Sequence, residues 1–348
     1  MKNWCKAALG LLIFISGAGC RTIQPVPIVT PPGATVAPAV AAPQEQTSQT
    51  PTSSPAEPET ITGWFCPMHP NHTSHEAGNC PICGMALMAG DPFETRDYLL
   101  DVETVPAAVR AGVPMRMVFR VRHPVSEAAI TEYEVVHDKQ YHLFVLSHDL
   151  EFFEHLHPER QPDGSWHIEL TLPKPGYYRV LSDFLPSRGS PQFLGATLIT
   201  SDFEGDLESE GAEIEPDATF RKTVDTITAS VEFDPPKLVA GEYGHLRFTL
   251  TDARTGQPVT DLQPYLGAFG HTLILSDDLA NYVHSHPSEG PDSDISRGLG
   301  GPTVSFEGYM PRAGRYRSWT QFLRNDRLTT ISFTFNVLTL EDAMQSPR

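Results

Sequence analysis

Residues 64–88 read WFCPMHPNHTSHEAGNCPICGMALM and set Cys66, His69, Cys80 and Cys83 in two pairs, each with two residues between its members. Three sulfurs and one imidazole nitrogen are a closed tetrahedral donor set for a zinc-sized ion. The thioethers Met68 and Met85 stand beside these ligands and Met88 follows, which moves the softness of the site toward Cu(I) or Ag(I) as well as zinc. One disulfide and one free thiol is the alternative reading. The odd cysteine count and the CxxC pair favour the metal.

A second set of candidate ligands emerges when the chain is aligned on itself. At an offset of 129 residues, Val102-Glu103, Pro106, Ala111-Gly112, Phe119 and Thr131 fall on Val231-Glu232, Pro235, Ala240-Gly241, Phe248 and Thr260. HLFVLSHDLEFFEHLHP at 142–158 then falls on HTLILSDDLANYVHSHP at 271–287. Further on the offset becomes 138, matching Gly176, Tyr178-Arg179 and Phe184-Leu185 to Gly314, Tyr316-Arg317 and Phe322-Leu323. An insertion of nine residues in the second copy, near 288–301, accounts for the change. His142, His155 and His157 recur as His271, His284 and His286.

The elements that must position these histidines are strands. Each copy holds short alternating or apolar runs separated by turn signals such as Pro162-Asp163-Gly164 and Pro175-Gly176, and no stretch carries a helical stripe of ten or more residues. If the first hairpin turns between Asp149 and Leu150, residues whose numbers sum to 299 lie opposite each other. His142 then faces His157, and His155 shares their face. The same arithmetic around Asp278-Leu279 pairs His271 with His286 and adds His284. Three imidazoles on one face form a Cu(II) or Zn(II) site, one per copy; a register slip of one residue would break it. The other reading is sheet-edge histidines that pack or hydrogen-bond in a recurring turn.

The strings Cys66-Pro67-Met68-His69-Pro70 and Cys80-Pro81-Ile82-Cys83-Gly84-Met85 resemble the heavy-metal-binding domain appended to copper and silver efflux components and to copper-exporting P-type ATPases. The resemblance covers about thirty residues and implies soft-metal binding. The hairpin strings resemble segments of uncharacterised secreted bacterial β-domains in which a histidine strand ends in HxHP; this implies a β-sandwich and copper handling.

At the N-terminus, Lys2 and Lys6 precede the apolar run Ala7 to Ile15, as in an export signal. Ser16-Gly17-Ala18-Gly19-Cys20 resembles a bacterial lipobox, with Gly17 where leucine is usual. The resemblance implies a lipid on Cys20 and a membrane anchor without a spanning helix. Arg21 after it suggests, by analogy, the periplasmic face of an outer membrane. Residues 21–60 are rich in Pro, Ala, Thr, Ser and Gln and read as a disordered tether. A net charge of −18 excludes the basic footprint that nucleic acid requires and suits a cation binder.

The expected organisation is thus a lipoprotein signal at 1–20, the tether at 21–60, a small zinc-ribbon-like metal module at 61–90, and a mainly β remainder. Two tandem β-sandwich domains, immunoglobulin-like or cupredoxin-like, occupy 91–202 and, after an acidic linker, 203–348. The expected function is non-catalytic: a cell-envelope lipoprotein that binds copper or zinc for sequestration or delivery, with a metal efflux or delivery protein as a possible partner. One alternative is a structural zinc module joined to a scaffold or adhesion pair. Another is a zinc isopeptidase, because His284-Ser285-His286-Pro287 begins the JAMM-type motif. Arg297, eleven residues after His286, and the early acids Asp292 and Asp294 depart from that family's pattern.

Overall fold

A computed structural model describes residues 63–67, 69, 72–90, 97–205, 214–285, 287 and 295–345. The signal, Cys20 and the tether lie outside the described residues, as do Met68 and His286. Among the described residues, no helix is long and apolar enough to cross a membrane.

The first module is a three-stranded sheet. Strand β1 (Gly63–Phe65) pairs with both β2 (Thr73–Ser74) and β3 (Met88–Gly90). Its core is minimal, formed by Cys66, Cys80 and Leu87 with Trp64 and Cys83 against them. So few apolar residues hold a fold this small only with additional cross-linking, which a bound metal supplies.

Two sandwiches follow. The first repeat comprises β4 (Leu99–Val105), β5 (Met115–Arg122), β6 (His142–Ser147), β7 (Phe153–Leu156), β8 (Glu159–Arg160), β9 (Trp166–Leu170), β10 (Tyr177–Phe184) and β11 (Gln192–Ile199). Its sheets run in the orders β4-β5-β9-β8 and β11-β10-β6-β7. The second comprises β12 (Arg221–Val224), β13 (Ile227–Asp234), β14 (Glu242–Asp252), β15 (His271–Ser276), β16 (Tyr282–Ser285), β17 (Thr303–Met310), β18 (Gly314–Arg324) and β19 (Arg327–Val337). Its sheets are β12-β13-β14-β17 and β16-β15-β18-β19. The same strand order recurs in both, apart from the edge strands β8 and β12, so the internal repeat is a repeat of topology.

Strands β6 and β15 are buried at every position. On β6, Leu143 and Val145 point into the core of their own sandwich. Phe144 and Leu146, alternating with them, point the other way, into a third cluster. On β15, Ile274 serves the second sandwich and Leu273 and Leu275 the third cluster. That cluster lies between the repeats, where Leu181, Ile214 and Trp319 complete it. Burial on both faces explains why HLFVLS and HTLILS are nearly continuous apolar runs instead of alternating ones.

The hairpin turns carry a repeated device. Ser147 and Ser276 accept the N–H of Phe152 and Asn281 at 2.9 Å, while Asp149 and Asp278 accept from Glu151 and Ala280. Leu150 and Leu279 adopt φ of 59° and 60°, a conformation unfavourable for a branched side chain. Both leucines pack in the inter-repeat cluster, and that burial offsets the backbone cost. The turn thereby fixes the hairpin register.

The ring of Phe153 stacks on Trp319 of the other repeat, with centroids 5.1 Å apart and planes 7° from parallel. Trp319→Ala is expected to cost about 3–5 kcal/mol in urea denaturation. Combined with Phe153→Ala, the two losses should fall short of additivity by about 0.5–1.5 kcal/mol. Strict additivity would mean that the rings do not meet in solution.

Candidate metal centres

The first centre is built by two tight turns. After β1, His69 N–H donates to Cys66 O and His72 N–H to His69 O, and Cys66 and His69 face the same point. Cys80 N–H donates to Met85 O and Gly84 N–H to Cys80 O, forming a second knuckle. Gly84 sits at φ 72°, which explains the glycine after Cys83. Ile82 N–H reaches Cys80 Sγ at 3.4 Å.

These turns bring four donors together. Cys66 Sγ lies 3.5 Å from Cys83 Sγ and 3.6 Å from His69 Nδ1, and Cys80 Sγ lies 3.6 Å from the same nitrogen. A tetrahedral ion with Zn–S and Zn–N bonds of usual length has edges of about 3.3–3.8 Å. The donor set therefore fits such an ion. It does not fit a disulfide, since bonded sulfurs are about 2.05 Å apart and none of the three described cysteines is disulfide-bonded. The neighbouring Cys66 thiol and burial push the Cys83 thiol far up; a cation is what would let these sulfurs carry charge together.

His69 turns its other nitrogen, Nε2, toward Glu307 on β17, 3.6 Å away, and the second Glu307 oxygen stands 3.6 Å from His245 Nε2. A carboxylate behind a ligating histidine orients the ring and raises its basicity. Met85 joins this centre through its backbone, whose hydrogen bond to Cys83 offsets a part of that thiol's upward shift. His72 also takes part through its backbone, and His75 is exposed.

The second centre lies between the repeats. Leu143 pairs with Leu156 and Phe144 with His155. These numbers sum to 299, so His142, His155 and His157 share the outer face of their hairpin. In the second repeat, Thr272 pairs with Ser285 and Leu273 with His284, which turns His271 and His284 outward as well. Because these two outer faces pack together, the histidines form one cluster where the sequence suggests a separate site in each repeat. His142 and His271 are 2% and 1% exposed and His155 is 8% exposed. His284 Nδ1 hydrogen-bonds to Asp183 Oδ2 on β10 of the opposite repeat at 2.7 Å. His155 Nδ1 meets Gln321 Oε1 on β18 at 2.9 Å. These contacts are equivalents: the offsets that carry His155 to His284 and Asp183 to Gln321 are those of the sequence repeat.

A sixth histidine, His137, completes the cluster, its ring centre 4.7 Å from that of His284. It occupies a tight turn with Asp138, at φ 55° and 60°, closed by hydrogen bonds between Val136 and Lys139. The equivalent turn of the second repeat is Leu266-Gly267. A search for histidines present in both copies therefore passes over His137, which is buried in an otherwise largely exposed turn. His148, by contrast, stacks against Tyr177 beyond the turn.

Comparison with known proteins agrees with this division of the chain. Residues 95–198 and 222–339 match a family described as a domain of unknown function, DUF8832. The chain belongs to the DUF8832 family. Residues 64–89 match the heavy metal binding domain, so the DUF8832 pair is preceded by a metal-binding module. No curated protein matches the chain. Among solved structures, the Escherichia coli adhesin FdeC is similar at 17% identity over 70% of this chain and 66% of its own, with a TM-score of 0.22. A two-domain fibronectin type-III segment of chicken tenascin is similar at 10% identity over 69% and 100%, with a TM-score of 0.20. The Yersinia pseudotuberculosis adhesin InvE is similar at 10% identity over 72% and 63%, also at 0.20.

Burial in the DUF8832 interface disfavours protonation of His142, His155, His157 and His271. Desolvation, reinforced by the electrostatic cost of a second positive ring beside His284, lowers His142 to about 4 and holds His155 and His271 well below their ordinary value. Burial and then His142 lower His157 to about 3. The unfolded chain takes up these protons near pH 6.5 and the folded one does not, so stability is intact above about pH 7 and falls as the pH drops toward 4. His142 alone should contribute a loss of about 2–3 kcal/mol between pH 7.5 and 4.5, read as a lower urea midpoint for the metal-free protein. An unchanged midpoint would mean that the cluster is solvated. Glu307→Gln should weaken metal binding at the cysteine centre about tenfold, measured by competition with a chromophoric chelator; equal affinities would remove the carboxylate from that role.

Proposed function

We propose that this protein is a non-catalytic carrier of a soft or borderline heavy metal, copper foremost, held in the envelope of a bacterial cell by a lipid on Cys20. The observation that carries the reading is the convergence of Cys66, His69, Cys80 and Cys83 on donor separations of 3.5–3.6 Å. The Cys80 and Cys66 sulfurs are almost fully buried, which protects thiolates from oxidation, while Cys83 remains half-buried and gives an ion a way in and out. Three thiolates and an imidazole bind Cu(I) and Zn(II) well. The proposed location is the periplasmic face of an outer membrane, where such a carrier would sequester metal or pass it to an efflux or delivery protein.

Support for a binding role over catalysis comes from the closed donor set, because a hydrolytic zinc site keeps one position for water. A scaffold role for the β pair is compatible with this reading, since the sandwiches position the module in either case.

The test is metal content and exchange in the full chain. Cu(I) should bind at the cysteine module and be withdrawn by a competing chelator without unfolding, and Cys80→Ser should abolish that equivalent. A zinc ion that survives Cu(I) challenge and whose removal unfolds the module would replace the carrier with a structural knuckle. Cys20→Ser should release the protein from the membrane fraction; continued attachment would sink the lipid anchor.

A further inference from the structure

The histidines between the repeats form two sets whose donor atoms lie within 4.8 Å of one another: His142, His155 and His284, and His137, His271 and His284. His284 is common to both. Its Nδ1 is committed to Asp183, so a single nitrogen, Nε2, remains to serve either set, and one lone pair binds one ion. The cluster is therefore built for one metal rather than one per repeat.

The first set has the more prepared geometry. His142 Nε2–H donates to Val136 O at 2.9 Å, which leaves Nδ1 as the lone-pair nitrogen of the neutral ring. The Gln321 amide donates through Nε2 to Thr330 Oγ1 and accepts through Oε1 from His155 Nδ1–H. His155 Nε2 is then also a lone-pair nitrogen, and it stands 3.0 Å from His142 Nδ1. Two lone pairs at that distance repel each other unless a cation lies against both. The separation is close to the edge of about 3.3 Å that two imidazoles make around a tetrahedral ion. Asp183 stands behind His284 as the orienting carboxylate such sites use. His157 Nε2 is buried without a hydrogen-bond partner, and its ring centre is 5.0 Å from that of His142 and 4.8 Å from that of His155, so a further imidazole borders the three donors.

We propose that His142 and His155 of the first repeat and His284 of the second form a shared site for one borderline divalent cation, Cu(II) or Zn(II), which joins the two DUF8832 repeats. The site differs in chemistry from the thiolate centre, having imidazole donors only, and does not depend on it.

The experiment uses the full chain carrying Cys66→Ser, Cys80→Ser and Cys83→Ser, loaded with Cu(II) and examined by elemental analysis and electron paramagnetic resonance. One copper per chain with nitrogen hyperfine structure is expected, and His284→Gln should abolish it. Asp183→Asn, which keeps size and shape, should weaken copper binding about 10–100-fold with an unchanged near-ultraviolet circular dichroism spectrum. This second variant decides the matter where His284→Gln does not fold. No copper in the chain with the three serines, two coppers, or affinity indifferent to Asp183→Asn would overturn the proposal. With zinc, the unsubstituted chain should hold two equivalents. A single equivalent lost with the cysteines would remove the histidine site alone, and a single equivalent indifferent to the cysteines would remove the thiolate centre alone.

Discussion

The structure depends on burying β6 and β15 on both faces. In a free sandwich, one face of each strand would meet water, and Phe144, Leu146, Leu273 and Leu275 would form an apolar patch of the kind isolated domains avoid. Each repeat covers the patch of the other. The contacts between them come in equivalent pairs, as in a symmetric dimer whose subunits have been fused in one chain. A residue close to such an axis meets its own counterpart, so histidines placed near it in one repeat are doubled into a cluster.

Fusion has also let the copies diverge. Asp183 corresponds to Gln321, and His137 corresponds to Leu266. One histidine of the cluster consequently rests on a carboxylate and its counterpart on an amide. A charge behind His284 makes that ring the stronger donor, and a lone His137 adds nitrogen on one side. The asymmetry turns a doubled motif into a single, directional cluster. Burial then favours neutral rings at His142 and His157, the protonation state that both metal binding and packing require.

The cysteine module is tied to the same framework. Strand β17 carries Glu307, which faces His69 of the module. Its neighbour Phe306 pairs with Pro287 at the end of the histidine hairpin, and Gly308 lies so close to Val283 that a β-carbon there would press on it, with Ile274 in contact beside it. On the first repeat, Gly90 at the end of the module abuts the carbonyl of Gly189, where any β-carbon would clash. Sulfur-rich and imidazole-rich donor sets, of different softness, are thus fastened to one rigid strand system.

The sequence by itself determined the metal module, because its ligands are local: two knuckles of four residues each fix their own geometry. It determined the repeat, its strands and the hairpin register, because the short apolar and alternating runs, the turn signals between them and the Ser-x-Asp-Leu turn of the hairpin each act over a few residues. Tertiary structure alone decided that the histidines of the two repeats meet. Contacts between His155 and Gln321, or His284 and Asp183, span more than a hundred residues, and no local pattern encodes which outer face packs on which. His137 was hidden for the same reason, since its place in the cluster comes from a turn of one repeat approaching a strand of the other.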